Sequence, residues 1–344
     1  MLLENFRPRS KMVTKTTLVN RPRYPAIDAH DHLGEPFGGG WDHRPFNELI
    51  DLLDEAGITH YVDLDGGWGE DILHRHLDCF KAKAPDRFLV FGGVDWSMWE
   101  TKGDGFADWA ADRLKVQKVA GAQGLKIWKP FGLHVRDHKG QLVKVDDRRL
   151  APIWDMAGEL NLPVIIHVAD PVAFFDPLDE TNERWEELKD HTDWVFTSPP
   201  FPPFMDILNG LKALVMRHRN TTFIGAHVGC YAENLSWVGR MLDECPNYAI
   251  DISARLGELG RQPYSARKFF VQYQDRIVFG SDMSPDLDAY RLYYRFLETD
   301  DEYFNYNTGE IPGQGRWFVH GLYLPDEVLK KIYRENAQRL LGIL

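Results

Sequence analysis

The segment PVIIHVAD, residues 163–170, is a short apolar run rich in β-branched residues that leads directly into His167. A stretch with helical periodicity precedes it over 147–160. Continuous apolar strands of this kind are typical of a parallel sheet that is buried on both faces. Seven other segments share this composition, which gives eight strand candidates: 25–33, 59–67, 87–96, 124–130, 163–170, 222–229, 248–253 and 276–282.

Helical patterns alternate with these strand candidates along the chain. The predicted helices are 45–56, 71–84, 106–120, 147–160, 205–218, 233–244, 264–274 and 325–341, the last with Pro325 at its start and Gly342 just beyond its end. Eightfold strand–helix alternation predicts an α/β fold, a closed (β/α)8 TIM barrel of parallel strands. A doubly wound open sheet is the alternative.

Two long segments interrupt the alternation, one after the fifth strand (171–203) and one after the eighth (283–324). Both follow the carboxyl end of a strand, where barrel enzymes place their sites, so they are predicted to be long loops that wall or cover a site. Residues 1–24 are predicted to be a poorly ordered leader. We therefore expect one barrel domain over 25–344.

The composition argues against several classes of protein. Of the 344 residues 44% are apolar and 27% charged, as in an ordinary globular domain, and the net charge is −12. An acidic chain without a Lys/Arg-rich stripe is not expected to bind nucleic acid or anionic lipid. No apolar run approaches the ~20 residues of a membrane span, and no secretory signal is visible. Three unpatterned cysteines fit a reducing compartment, so a cytoplasmic location is expected.

His30 and His32 stand one residue apart at the end of the first strand candidate. Because alternate residues of a strand share a face, both imidazoles and Asp28 are predicted to point toward the barrel mouth. An HxH pair alone is weak evidence for a metal, since most histidines are exposed or hydrogen-bonded in ordinary ways.

Other strand ends strengthen this interpretation. The fifth, sixth and eighth strands lead into His167, His227 and Asp282. Imidazoles and a carboxylate that converge on one cavity are the ligand set that zinc or a similar first-row ion prefers. Two alternatives stay open: His227 as a histidine bonded to a neighbouring carboxylate, and Asp282 as the cap of a following helix.

The order HxH, His, His, Asp on strands 1, 5, 6 and 8 resembles the amidohydrolase superfamily. More narrowly, it is similar to the amidohydrolase-related branch that includes aminocarboxymuconate-semialdehyde decarboxylase and several lactonases. The segments IDAHDHLG (27–34), PVIIHVADP (163–171), FIGAHVGC (223–230) and VFGSDMSP (278–285) carry the resemblance, with VLKKIYRENAQRLLG (328–342) as the closing helix.

The resemblance implies that His30, His32, His167 and Asp282 bind one divalent ion, zinc first and Mn²⁺ or Fe²⁺ as alternatives. It places His227 beside the ion as an acid/base or an electrophilic hydrogen-bond donor. The physical reading agrees: a metal lowers the pKa of a bound water toward ~7, and Asp282 can accept the proton of that water. The resemblance also suggests a homodimer.

Lys126 lies in the fourth strand candidate, where binuclear members of the superfamily carry a carboxylated lysine that bridges two metals. Because Lys126 stands two residues before the expected strand end, a single ion is favoured. Lys126 is then an interior cation that pairs with an acid such as Asp28, or a substrate-binding group; a buried lysine needs a charged partner in either case.

Large aromatic residues follow the first strands, among them Trp41, Trp68 and Trp128. They suggest a substrate with an apolar or sugar-like face, with packing between loops as the alternative. Arg255, just past the seventh strand, is a candidate for binding a substrate carboxylate through its planar fork, or for a loop-fixing ion pair.

The leading functional hypothesis is a metal-dependent hydrolase that acts on a small amide, ester or lactone, with Asp282 and His227 as catalytic residues. The alternative is a non-oxidative, metal-dependent decarboxylase of an aromatic or unsaturated carboxylate. A non-catalytic metal-binding protein is less favoured, because structural zinc sites tend to be closed and rich in cysteine.

Overall fold

The computed structural model describes residues 5–6, 8–307 and 312–343. It contains strands at all eight positions that the sequence predicts, although most strands are shorter than their candidates. They are β1 Ala26–Asp31, β2 Ile58–Asp63, β3 Phe88–Val90, β4 Leu125–Ile127, β5 Val164–Ile166, β6 Phe223–Gly225, β7 Tyr248–Asp251 and β8 Ile277–Val278.

The strands form a closed parallel barrel. Parallel ladders pair β1 with β2 and β2 with β3, and pair β4 to β8 in sequence order. Backbone hydrogen bonds close both gaps: Lys126 N donates to Gly92 O (2.8 Å), and Ala29 N donates to Phe279 O (3.0 Å). The predicted TIM barrel is therefore confirmed, and the open sheet is not.

One layer of the barrel interior is built from small and branched apolar side chains. Lys126 is paired with Ile165 in the β4–β5 ladder, and paired residues of parallel strands face the same side of the sheet. Lys126 thus projects a cation from an otherwise apolar layer, which comprises Ile27, Ala29, Val62, Leu89, Ile165, Ile224, Ala249 and Val278.

Helices surround the barrel. The longer ones are Phe46–Ala56, Glu70–His76, Phe106–Ala120, Ala151–Glu159, Phe204–Arg217, Leu235–Glu244, Pro263–Gln272 and Leu287–Glu298. The shorter ones are Trp99–Lys102, Trp185–Leu188 and Leu256–Arg261, while Pro130–Leu133 and Ala226–Gly229 are tight turns with non-helical residues inside them. The chain closes with Asp326–Lys330, a π-helical stretch Lys331–Glu335 and Asn336–Leu341, as the predicted last helix requires, and Gly342 ends it with φ +67°.

The two long segments differ from each other. Between β5 and the helix at Phe204, the chain contains only short helices at Val172–Phe175, Trp185–Leu188 and Thr192–Trp194. The segment predicted as a loop over 283–324 is partly helical, because Leu287–Glu298 lies inside it and is capped by the Asp286 carboxylate. Part of the aromatic richness of this segment comes from a buried helix face that includes Tyr290, Tyr293 and Tyr294.

The leader is hydrogen-bonded to the segment after Leu287–Glu298. Both N and Oγ1 of Thr17 donate to the Asp301 carboxylate, at 2.6 and 2.7 Å. The division into leader and barrel, the homodimer and the cytoplasmic location stay predictions. Among the described residues, no helix combines the length and apolar character that a membrane span requires.

Candidate metal centre and substrate cavity

His30 and His32 lie at the carboxyl end of β1, and both direct Nε2 toward Asp282. Both side chains are buried, with 1% and 0% of their surface exposed. Nδ1 of His30 lies 2.8 Å from Asp251 Oδ2, and Nδ1 of His32 lies 2.7 Å from Asp65 Oδ1. Since each carboxylate accepts a hydrogen bond from Nδ1–H, the Nε2 atom of each ring is left for a cation, as in histidine ligands of metals.

Asp282 faces both of these Nε2 atoms. Its Oδ1 lies 3.0 Å from His32 Nε2 and 3.5 Å from His30 Nε2, while Oδ2 lies 3.7 Å from Nε2 of His227. Burial lowers the pKa of His32, but its hydrogen bonds with Asp282 and Asp65 more than offset this and raise the pKa, so His32 Nε2 donates a hydrogen bond to Asp282 at a position that a bound ion would take. Gly280 allows the segment that leads to Asp282 to pack closely against β1, because a Cβ at this position would lie 2.9 Å from the His30 Cβ. Burial raises the pKa of Asp282, but the surrounding imidazoles more than offset it, so the pKa is well below its ordinary value.

His227 sits at a sharp turn after β6. Its φ is +59° and that of Val228 is +58°, and Asp251 Oδ1 accepts the His227 backbone N–H at 2.9 Å. Nδ1 lies 3.0 Å from the carbonyl oxygen of Ser253, which can only accept, so Nδ1 carries the proton and Nε2 presents a lone pair. Burial, and then His167, lower the pKa of His227 well below its usual range. Acid/base use of Nε2 is therefore favoured over the electrophilic donor role.

His167 follows β5 directly and lies beside this group rather than within it. Its ring contacts that of His227 with centroids 4.4 Å apart, and its Nε2 lies 3.4 Å from Asp170 Oδ1. Nε2 is buried and has no hydrogen-bond partner among the described residues. Burial lowers the pKa of His167 to about 4, so the ring is neutral. The ligand role of His167 stays a prediction.

Lys126 occupies the space between the imidazoles and the aromatic wall. Its Nζ lies 2.9 Å from Nε2 of His30 and 4.8 Å from the Trp128 ring centroid. Burial lowers the pKa of Lys126 to about 8. One lone pair cannot serve two cations, so an ion bound at His30 Nε2 requires the Lys126 amine to turn away from it.

The expected partner of Lys126, Asp28, lies elsewhere. The Asp28 carboxylate accepts hydrogen bonds from N and Oγ of Ser281, at 3.1 and 2.7 Å, and does not line the cavity. The β1–β2 pairing is irregular between Asp28 and Asp31. An irregularity of this kind re-aims side chains, which explains why Asp28 does not share the orientation of His30 as strict alternation predicted.

The backbone around the site is unusually strained. Five of the non-glycine residues with positive φ stand near these strand ends: His227, Val228, Cys230, Ala254 and Asp282. Such conformations cost about 1–3 kcal/mol each and persist where the surroundings fix them. The Asp282 backbone is fixed by its N–H donating to His30 O at 2.8 Å.

A cavity of about 540 Å³ opens from these residues. Among its described lining residues are Lys126, His167, His227, Arg255 and Asp282, together with the aromatic residues Trp68, Trp128, Phe174, Trp194 and Phe196. Trp68 stacks on Trp128 with centroids 3.9 Å apart. These positions agree with the predicted substrate-binding roles, which remain proposals.

Trp41 does not reach this cavity. Only 3% of its surface is exposed, its Nε1 donates to Ser284 Oγ at 3.0 Å, and the Arg44 guanidinium lies 3.4 Å above its ring. The packing alternative therefore describes Trp41 better than the predicted substrate contact, because contacts within the protein already occupy the ring and its Nε1.

The carboxylates that orient the imidazoles were not predicted from the sequence. Asp251 and Asp65 fix the two imidazoles of β1, and Asp170, paired with Lys129 at 2.6 Å, stands beside His167. A signal was present, since each carboxylate ends or follows a strand, as Asp282 does. What the sequence does not reveal is which imidazole each carboxylate contacts.

The donor set fits a divalent ion at His30, His32 and Asp282. Atoms of these three residues lie within 4.8 Å of one another. A second group, Asp63, Asp65 and His76, is equally compact but lies outside the cavity lining. The His30 group combines oriented Nε2 atoms with an ionised carboxylate, and the buried Nε2 of His167 nearby lacks a partner among the described residues.

Comparison with known proteins agrees with this arrangement. A family model described as Amidohydrolase matches residues 56–343. The chain belongs to the amidohydrolase family. The resemblance expected from the sequence is thereby confirmed, and the chain is an enzyme of this family. No curated protein sequence matches the chain significantly.

Solved structures similar to this amidohydrolase share its barrel. A TIM-barrel protein from Bordetella bronchiseptica is 15% identical with a TM-score of 0.58, covering 92% of this chain and 98% of its own. A 2,6-dihydroxybenzoate decarboxylase from Rhizobium is 17% identical with a TM-score of 0.57, covering 93% of this chain and 99% of its own. A dihydroxybenzoic acid decarboxylase from Polaromonas, solved with manganese and 2-nitroresorcinol, is 16% identical with a TM-score of 0.55, covering 93% of this chain and 97% of its own. At these identities the likeness shows the fold alone.

Proposed function

We propose that this amidohydrolase is a metal-dependent hydrolase of a small carbonyl compound, an amide, ester or lactone. The observation that carries the proposal is the Asp282 carboxylate, which faces the Nε2 atoms of His30, His32 and His227 at 3.0 to 3.7 Å and lines the cavity. A base, oriented ligands and a cavity for substrate are thereby brought together.

His30, His32 and Asp282 would hold the ion, with His167 as the further ligand that the family resemblance implies. Zinc is the first candidate and Mn²⁺ or Fe²⁺ the alternatives, because imidazole and carboxylate donors suit all three. When bound, the ion supplies a water of lowered pKa and polarises a substrate carbonyl.

Asp282 is placed to move the proton. Its Oδ2, directed toward His227, accepts the proton of the attacking water and returns it to the leaving nitrogen or oxygen when the tetrahedral species breaks. His227, with Nδ1–H held by Ser253, presents Nε2 as a hydrogen-bond acceptor that orients the same water. Trp68 and Trp128 provide a flat wall for the substrate.

The test is turnover by the metal-loaded protein on a panel of neutral lactones, aryl esters and anilides, in water enriched in ¹⁸O. Hydrolysis incorporates ¹⁸O into the carboxylic acid that is formed. Asp282→Asn should abolish incorporation, while Asp286→Asn, which changes the same group in the capping position of the next helix, should retain it. Turnover that survives in the Asp282→Asn variant refutes the mechanism.

A decarboxylase is the second candidate. It is favoured by the cavity itself, in which Lys126, Lys129 and Arg255 accompany stacked aromatic rings, and by the presence of decarboxylases among the similar structures. An aromatic carboxylate matches both features. Release of CO₂ from 2,6-dihydroxybenzoate without ¹⁸O incorporation would replace hydrolysis by this reaction.

A further inference from the structure

Arg255 is a buried cation that lines the substrate cavity, on the loop that follows β7. Only 5% of its surface is exposed. Its Nη1 donates to the carbonyl oxygen of Ala254 at 2.9 Å. Within the described part of the chain, no carboxylate lies at ion-pair distance from its guanidinium. Burying an unpaired charge is costly, so a guanidinium in this setting calls for an anion.

The acidic residues around Arg255 each have one carboxylate oxygen engaged with another group, while Oε2 of Glu233 and Oε2 of Glu258 are buried without a hydrogen-bond partner among the described residues. Glu258 and Glu187 both form ion pairs with Arg184, the second at 2.6 Å. Glu233 accepts the Val172 backbone N–H at 2.9 Å. The loop-fixing ion pair considered for Arg255 from the sequence is therefore absent among the described residues, although Glu258 is near enough to be the competing partner.

The other cations of the cavity lining already have partners. Lys129 pairs with Asp170 at 2.6 Å, Lys126 donates to His30 Nε2 at 2.9 Å, and Arg184 holds two glutamates. Arg255 thus differs from the other lysine and arginine side chains in the described lining, because most of its five N–H donors remain available to a ligand.

We infer that Arg255 binds a carboxylate of the substrate, so that the enzyme acts on a flat carbonyl compound that carries a carboxylate apart from its reacting group. This inference rests on the proposed function, since it takes the group at Asp282 as the reacting end. A planar guanidinium matches a carboxylate with two parallel hydrogen bonds, and the Trp68–Trp128 pair suits a flat body between the two ends.

Binding of benzoate and the three phthalate isomers to the metal-loaded protein tests this without turnover. Benzoate offers one carboxylate, which the metal end can take, while each phthalate adds a second at a different spacing. Binding is read by calorimetry. We expect at least one isomer to bind roughly tenfold to a hundredfold more tightly than benzoate, as one charge-assisted contact implies.

Arg255→Gln should remove this preference and leave the metal content unchanged. Arg255→Lys keeps the positive charge but loses the planar guanidinium, so it should retain part of the preference for a phthalate. This variant replaces Arg255→Gln in the test if the glutamine variant does not fold. Arg261→Gln is the matched control: it removes a guanidinium that pairs with Glu183, outside the cavity lining, and should keep the full preference.

The inference is overturned if no phthalate is preferred by the unmodified protein, or if the preference survives in Arg255→Gln. An ion pair of Arg255 with Glu258 in solution would give the first result. Failure of the proposed function looks different: no ester, lactone or amide is hydrolysed, yet the phthalate preference and its dependence on Arg255 persist.

Discussion

Replacement of Asp251 by asparagine tests whether the tautomer of His30 creates the metal centre. Asp251 uses both oxygens: Oδ2 accepts from Nδ1 of His30 at 2.8 Å, and Oδ1 accepts from the N–H of His227 and of Ser253, at 2.9 and 3.0 Å. Every one of these contacts is with a donor, and an amide cannot satisfy all of them.

The magnitude follows from the two orientations open to the side-chain amide that Asp251→Asn introduces. If its NH₂ faces His30, the imidazole proton moves to Nε2 and removes the metal-binding lone pair. If its NH₂ faces the backbone instead, the buried N–H groups of His227 and Ser253 lose their acceptor. Loss of such an orienting carboxylate typically weakens metal binding 10- to 100-fold, or about 1.4–2.7 kcal/mol, and an unsatisfied buried donor costs about 1–3 kcal/mol of stability.

The assay is competition for Zn²⁺ and Mn²⁺ against a chromophoric chelator, with urea unfolding of the same samples. Asp63→Asn is the matched control. Asp63 is equally buried and holds Nδ1 of His76 at 2.6 Å, but His76 does not line the cavity. The control should lose comparable stability and keep its metal affinity. Equal metal affinity in Asp251→Asn and the unmodified protein, or a loss confined to Asp63→Asn, would refute the reasoning.

Further outcomes follow from the same site. Elemental analysis should find one divalent ion per chain. The His30→Ala variant should lose this ion, whereas the control His60→Ala, which changes a half-buried histidine of β2, should keep it. Two ions together with added mass on Lys126 would indicate a binuclear centre. Asp282→Asn should lower kcat about 10²- to 10⁴-fold with the fold retained, judged by circular dichroism; an unchanged kcat contradicts its role. Because burial lowers the pKa of His167 to about 4 from 6.5, the unfolded state binds the extra proton between these values. The contribution of His167 to the stability of the metal-free protein should therefore be fully present above pH 6.5 and fall by about 3 kcal/mol as the pH drops to 4, so the His167→Asn variant should show a flatter urea-unfolding profile.

The main features of the fold could be predicted from local pattern. Eight apolar runs alternating with helical periodicity specify the barrel, since each strand and helix is a local choice. A helix after Asp282 was anticipated as the alternative in which Asp282 caps it; the structure gives its bounds as Leu287–Glu298, assigns the cap to Asp286 and shows its tyrosines to be buried. The orientation of Asp28 was predicted wrongly, because the irregularity in β1 breaks the simple alternation on which that prediction was based.

The sequence by itself determined that His30, His32, His167, His227 and Asp282 stand at strand ends, because strand–helix alternation brings all carboxyl ends to one rim. Only the tertiary structure decided which nitrogen each ring presents, since Asp251, Asp65 and Ser253 come from other strands and loops. Contacts between residues far apart in the chain depend on the closure of the barrel, and periodicity carries no information about them.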